Sequence, residues 1–306
     1  MLLVPKFVSL YQEDSIMTVY VLVHGAWHGG WCWHKVAHLL RSMGKDVFIP
    51  TLTGLGERSH LLHPNIALDT HVLDIVNFLE YEDLKEVIFV GHSYAGMVIS
   101  GVAEKVPTRI KHLVYLDAFT PNDGESISDL HPSFVAKLRQ IAVEKGDGWF
   151  VPFPEKVVNP KGGPLYGITD VKESIWLRAR LTPHPLKCFE QQLSLKNTAG
   201  LTLPKTYIWC SVQQGIRTET WGFIKEAQRA QELGWGFYEI ESDHDSMITR
   251  PKELANILLK ILQMLILQPR CIVIEDKLFS NHELLSFCSY SLCLFGFLSF
   301  ISEQIN

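Results

Sequence analysis

The sequence has little to hold it together except packing. Its six cysteines (Cys32, Cys188, Cys210, Cys271, Cys288 and Cys293) lie far apart and form no C-x-x-C pair. That excludes a disulfide framework and a cysteine zinc site, and predicts reduced thiols in a cytoplasmic protein. There is no cationic surplus: 28 Lys and Arg stand against 33 Asp and Glu, for a net charge of −5. A nucleic-acid-binding role is excluded on that balance, because a phosphate backbone demands cations on the contact face. The chain carries no internal repeat, no low-complexity tract and no phosphate-binding glycine loop. His34 and His38 stand at i and i+4, a spacing that can bind zinc, but no H-E-x-x-H accompanies them and a helix surface is the expected place for both. No metal or cofactor is expected.

What is present is apolar. Hydrophobic residues make up 47% of the chain against 20% charged, which excludes a disordered polymer. At 306 residues the chain can bury a core without staples. Both ends stand apart from the rest. Residues 1–16 read as an extension, with Met17 directly before the first strand-like run and no small-residue cleavage site of a secretory leader. Residues 268–306 read as an apolar tail outside the fold. Within it, 284–301 is eighteen residues long and uncharged, the lower limit for crossing a bilayer, but its four serines and flanking charges weaken it as an anchor. The body is therefore expected at 17–267.

Between these ends, strands and helices alternate. Short apolar runs at 18–23, 46–49, 86–90, 110–116, 206–210 and 236–240 read as strands covered on both faces. Helical spacing recurs at 33–42, 69–79 (capped by Asp69 or Thr70), 94–105, 223–233 and 251–267. The order predicts an α/β fold, a mostly parallel sheet with helices on both faces. About 85 residues before the last two strands show no clear strand and are rich in proline, glycine and aromatics, as a lid over one sheet edge would be.

Chemistry concentrates after the third strand, at Gly91-His92-Ser93-Tyr94-Ala95-Gly96. A serine between glycines, leaving a buried strand and entering a helix, reads as a nucleophile elbow of the G-x-S-x-G type. The strained turn lifts the Ser93 hydroxyl above the sheet, and glycines are expected two positions to either side, where a Cβ would collide. The alternative is a serine that merely caps a helix. A hydroxyl needs a base to attack at neutral pH. His244, in the loop Glu241-Ser242-Asp243-His244-Asp245-Ser246 after the last strand, is the best-placed histidine, because residues of an open parallel sheet converge at strand C-terminal ends. His92 is expected to orient or pack. Asp243 and Asp245 flank His244, but sequence neighbours usually point away.

With these residues, His24-Gly25-Ala26-Trp27-His28-Gly29-Gly30-Trp31, Gly54-Leu55-Gly56-Glu57-Arg58, Tyr115-Leu116-Asp117-Ala118-Phe119, and Met247 three residues after His244, the chain resembles the α/β-hydrolase superfamily. Within it the resemblance is to the esterase/hydroxynitrile-lyase branch that includes plant methyl-ester esterases and related bacterial serine esterases, and it covers roughly 17–265. It implies an α/β-hydrolase fold with a helical cap at about 119–200, and an oxyanion hole from the backbone N–H groups of Ala26 and Tyr94. The triad acid is Asp117 or, after the fifth strand, Glu219, with Asp117 favoured. The implied activity is a serine carboxylesterase acting on small hydrophobic or aromatic esters. Insert aromatics such as Phe134, Phe150, Phe153 and Tyr166 supply apolar surface, and Trp27, Phe119, Trp149 and Trp176 are the candidates for substrate contact. The rivals are a slow or non-catalytic small-molecule receptor on the same fold, and a hydroxynitrile lyase. The lyases carry threonine where Gly25 stands and lysine where Asp245 stands.

Overall fold

The computed structural model describes residues 19–160, 162–212 and 223–267. The chain divides into two units, Met1–Ile266 and Leu267–Asn306, and the first carries the fold. The extension 1–16, Glu219 and the tail 268–306 with its apolar stretch lie outside the described residues. Among the described residues, no helix is long and apolar enough to cross a membrane.

Six strands form one sheet: β1 (Val19–Val23), β2 (Asp46–Phe48), β3 (Val87–His92), β4 (Ile110–Leu116), β5 (Lys205–Cys210) and β6 (Gly236–Ile240). Their order is β2-β1-β3-β4-β5-β6, and every pairing is parallel. All six residues of β3 are buried, as a strand covered on both faces requires. Its register sets Phe89 beside Val21 and Val114 beside Val90, so β-branched and aromatic side chains fill the middle of the sheet.

Helices cover the faces: α1 (His34–Ser42), α2 (Leu68–Tyr81), α3 (Ala95–Lys105), α4 (Pro132–Lys145), α5 (Val171–Arg178), α6 (Ile224–Glu232) and α7 (Pro251–Leu267). In α2 the stripe Val72, Ile75, Val76 and Leu79 is buried, as its 3.6-residue spacing predicts. Its start differs from expectation. The N-cap is Ala67, and Thr70 instead reaches back so that its hydroxyl accepts the Ala67 N–H at 3.3 Å. α3 is buried from Ala95 through Ala103, because the small residues of AGMVISGVA let it lie close against the sheet. His34 and His38 are both exposed on α1.

The segment between β4 and β5 alternates helices with irregular stretches. It holds α4, α5, four-residue helices such as Ile127–Leu130 and Lys187–Glu190, and a two-stranded antiparallel ribbon pairing Val151 with His184. Most of these helices are too short to show a period; α4 is the exception, with Phe134, Val135, Leu138 and Ala142 buried along one face.

The chain runs from β1 outward to β2 and then returns to the other side of β1 to begin β3. That reversal leaves a crevice beyond the C-terminal ends of β1 and β3, where ligands of open α/β sheets bind. The two segments with the most chemistry, 24–31 and 91–96, leave β1 and β3 at this point.

Candidate active site

Ser93 follows β3 directly and has φ +56°, a left-handed conformation that costs a non-glycine residue about 1 kcal/mol or more. The turn is held from below: Ser93 N–H donates to Leu116 O at 3.1 Å, and Ser93 O accepts from Gly96 N–H and Phe119 N–H. The expected symmetry of the elbow needs correction. Glycine stands two positions before the serine, but Ala95 stands two after it and the second glycine falls at Gly96. The contacts give the reason. A Cβ on Gly91 would meet Ala95 O at 2.7 Å, whereas a Cβ on Gly96 would meet Phe119 O at 2.0 Å. The helix therefore passes closest to the strand at 91, and closest to the loop after β4 at 96.

The segment after β1 lies across this turn. A Cβ on Gly25 would sit 3.0 Å from the Ser93 Cβ and 3.0 Å from His92 Nδ1. The peptides around Ala26 are fixed by buried histidines. His24 Nε2 accepts the Leu52 N–H at 3.1 Å, so its proton sits on Nδ1 and is donated to Gly25 O at 2.8 Å. Burial pushes this imidazole down to about 3, and it stays neutral. In a trans peptide the C=O and N–H point in opposite directions, so holding Gly25 O aims the Ala26 N–H the other way. The next peptide is held at both ends: Ala26 O meets His28 Nδ1 at 2.8 Å, and Trp27 N–H donates to His184 Nδ1 at 3.4 Å. Tyr94, with φ −49° and ψ −36°, stands at the N-terminus of α3, where backbone N–H groups lack helical acceptors. Among the described residues, neither the Ala26 nor the Tyr94 N–H finds an acceptor.

His244 arrives from the loop after β6. Its Nδ1 lies 2.7 Å from Asp117 Oδ2, and both residues are buried. Asp117 stands just past β4 with φ +41°, and its N–H donates to Ile208 O at 2.8 Å. The imidazole is packed between rings: His92 at 4.4 Å, Phe223 stacked at 5.2 Å with 4° between planes, and Tyr166 at 5.5 Å. His92 also donates from Nε2 to His244 O at 3.1 Å, so the residue before Ser93 both packs on the histidine and holds its main chain. The neighbouring Asp243 turns an oxygen back to accept the His244 N–H at 2.7 Å. Ser93, Asp117, Trp27 and Tyr166, four non-glycine residues with positive φ, all belong to this neighbourhood. Strain concentrated in this way is a mark of functional sites.

The four candidate substrate-contact residues separate. Trp27 (φ +64°) stacks on Phe189 at 5.5 Å and donates from Nε1 to Val151 O, tying the β1 loop to the segment between β4 and β5. Phe119 lies against Phe223, which itself stacks on His244. Trp149 has other neighbours: it is half-buried beside Phe150. Trp176 meets Trp31 edge-on beneath Arg180, in a groove shared with Ile248 and Lys35.

Sequence reasoning missed His71, His184, Cys188 and Phe189, which gather around the Tyr94 side chain. His71 Nδ1 meets the Tyr94 hydroxyl at 2.8 Å, and the His184 ring lies 4.8 Å from both the Tyr94 and Phe189 rings. No local pattern marks these positions, since they converge from α2 and the segment between β4 and β5. The histidine and cysteine donors of this group lie within 4.8 Å of one another, close enough for a soft cation. Their hydrogen bonds argue otherwise. His71 Nε2 donates to Thr53 O, leaving Nδ1 to accept from Tyr94; His184 Nδ1 is taken by Trp27; burial holds the Cys188 thiol well above its usual range.

Similarity to known proteins identifies the family. The family described as "Alpha/beta hydrolase family" matches residues 20–257. The chain is 36% identical over 248 residues to the carbendazim hydrolyzing esterase of a Nocardioides species, covering 78% of this chain and 97% of that protein. It is 30% identical to salicylic acid-binding protein 2 of Nicotiana tabacum, over 79% of this chain and 96% of that one. An extracellular α/β-hydrolase of a Paenibacillus species, described as sharing structural and functional homology with the tobacco protein, superposes with a TM-score of 0.68 at 27% identity, covering 79% and 98% of the two chains. The chain belongs to the α/β-hydrolase family, in the branch of the methylesterases and related bacterial esterases.

Proposed function

We propose that the chain is a serine carboxylesterase in which Ser93 is the nucleophile, His244 the general base, Asp117 the orienting acid, and the Ala26 and Tyr94 N–H groups the oxyanion hole. The observation that carries this reading is the buried 2.7 Å contact between His244 Nδ1 and Asp117 Oδ2 beside the left-handed Ser93 turn. A carboxylate at Nδ1 fixes the tautomer whose lone pair is on Nε2, the form that can take a proton, and it stabilises the imidazolium formed when that happens.

The Ser93 oxygen adds to the ester carbonyl carbon while its proton passes to His244. The carbonyl oxygen becomes an oxyanion, stabilised by the two backbone N–H groups; such preorganised donors are usually the largest catalytic contribution. Collapse expels the alkoxide, which takes the proton from His244 and leaves an acyl-Ser93 ester. Water, activated by the same histidine, then releases the acid and restores the serine.

The rings of Trp27, Phe189, Phe119 and Phe223 support a compact hydrophobic or aromatic ester rather than a charged one. The curated relatives named as esterases favour the same class. A hydroxynitrile lyase is disfavoured. The threonine of that subgroup, placed at position 25, would bring its Cβ to 3.0 Å from Ser93, and its lysine would replace a buried aspartate, Asp245.

The test is turnover of p-nitrophenyl acetate and a panel of methyl and aryl esters, with fluorophosphonate labelling. The expected result is stoichiometric labelling at Ser93 and loss of both labelling and turnover in Ser93→Ala. Unchanged turnover in that variant would overturn the assignment. Tight ligand binding without multiple turnover would instead indicate a receptor.

A further inference from the structure

Beside the His244–Asp117 contact lies a second buried histidine–carboxylate pair. His28 is 1% exposed and Asp245 0%. His28 comes from the segment after β1 that carries Ala26; Asp245 directly follows His244. The two side chains therefore join the two loops that must be registered for acyl transfer. His28 Nε2 lies 3.0 Å from Asp245 Oδ2, and His28 Nδ1 lies 2.8 Å from Ala26 O. A carbonyl oxygen and a carboxylate can only accept, so both ring nitrogens must donate. Only the imidazolium has two N–H groups, and its charge is balanced by Asp245.

We propose that the His28–Asp245 pair is an imidazolium–carboxylate clasp that positions the oxyanion-hole peptide of Ala26 against the loop carrying the catalytic imidazole. The clasp acts in catalysis only if Ser93, His244 and Ala26 have the roles proposed above. Neither partner touches the reacting atoms, so both are positioning residues. Losing the His28 proton removes one of the two N–H groups, and either Ala26 O or Asp245 is released.

The surroundings agree with a charged pair beside neutral His24 and His92. Facing His28 are the Trp31 ring, stacked at 5.3 Å, the Tyr166 ring of the cap at 5.8 Å and the His92 ring, edge-on at 6.3 Å. His24 and His92 are both held neutral chiefly by burial. Facing Asp245 are His92, with Nε2 3.9 Å from Oδ1, the Cys32 thiol and the Tyr166 hydroxyl, both held protonated by burial, and Asp243. Burial by itself would lower the His28 pKa; the charge and hydrogen bond of Asp245 and the bond to Ala26 O outweigh it and raise the group above its ordinary value.

The first measurement is nitrogen-15 NMR of histidine rings in the intact wild-type protein, with His28 assigned by its loss in His28→Gln. Both His28 ring nitrogens are expected to carry protons at pH 7, above the ~6.5 at which a free imidazole loses one. The second is the pH profile of kcat and KM for wild type and Asp245→Asn. The amide still accepts one bond but supplies no charge. We expect kcat to fall about tenfold or more with KM within about threefold, and the alkaline limb of kcat to begin at lower pH. The deficit should shrink toward acid pH, where His28 is protonated without Asp245. A purely structural defect would lower activity by the same factor at every pH.

A His28 ring with a single N–H at pH 7, or a variant-to-wild-type kcat ratio that stays flat with pH, overturns the clasp. If Asp245→Asn does not fold, the wild-type ring state decides. Should Ser93→Ala keep its turnover, the esterase reading fails instead, and the ring state of His28 still tests the ion pair.

Discussion

Asp117 and His244 meet carboxylate to imidazole at 2.7 Å across a separation of 127 positions in the chain. One ends a central strand and the other sits in the loop after an edge strand, so the contact exists only because β4, β5 and β6 lie side by side in parallel register. Asp117→Asn keeps the shape but offers Nδ1 an amide that can favour the wrong tautomer. The expected outcome is a loss of about two to four powers of ten in kcat on the best ester, with the fold retained by circular dichroism. A loss under about threefold would move the acid role to another carboxylate.

Gly25 is the position where the β1 loop crosses the serine turn. Gly25→Thr brings a Cβ to 3.0 Å from both the Ser93 Cβ and His92 Nδ1, and the loop or the turn must give by several tenths of an ångström. Displacing the proposed oxyanion donor or the proposed nucleophile by such amounts is expected to lower kcat/KM about 100-fold, with a small change in stability. Steady-state kinetics beside a thermal melt separates the two effects.

Gly96 behaves differently, since the atom in the way is backbone. A Cβ there would stand 2.0 Å from Phe119 O, and Phe119 N–H is itself bonded to Ser93 O at 3.2 Å. Gly96→Ala is expected to destabilise the fold by about 2–3 kcal/mol, as overpacking of a dense interior does. Urea denaturation would register this as a lower midpoint at unchanged slope.

Asp243 gives a pH dependence of known sign. Burial, the leading cause, raises its carboxyl to about 6 from 3.8, opposed by the bond it accepts from the His244 N–H. The folded state therefore holds this proton more tightly than the unfolded chain does. The resulting stability is fully present below the unfolded pKa and is lost as pH rises through about 6. Asp243→Asn keeps an acceptor for His244 without a charge to bury. Its stability at pH 7–8 is expected to exceed that of wild type by about 1 kcal/mol, with the gap closing toward pH 4. Superimposed stability–pH curves for the two proteins would refute this.

Much of the framework was legible in the chain itself. The β-branched runs gave the strands, the 3.6-residue stripes gave α2 and α7, and the junction of a buried strand with Gly-His-Ser-Tyr-Ala-Gly marked the turn at Ser93. These signals are local: a strand buried on both faces must be apolar along its length, and a strained turn needs small residues beside it. The segment between β4 and β5 was legible only as an irregular interruption, because its four-residue helices leave no periodicity to read and the stripe of α4 is isolated among proline- and glycine-rich loops. Trp149 and Trp176 are singled out in the sequence as aromatic residues of the insert, and the structure sets Trp149 beside Phe150 and Trp176 edge-on to Trp31. His28 stood in a motif already singled out and received no role, because its partner is 217 positions away.

The sequence by itself determined which segments become the strands of the sheet and the helices on its faces, and which serine sits on the strained turn, since these follow from the burial demands and backbone preferences of neighbouring residues. Only the tertiary structure decided the partners: Asp117 for His244, Asp245 for His28, and the cluster of His71, His184 and Phe189 around Tyr94. Those choices are made by strand order and loop crossing, which bring distant side chains into a water-poor interior. There each buried donor and charge is stable only opposite a partner, and no local pattern names that partner.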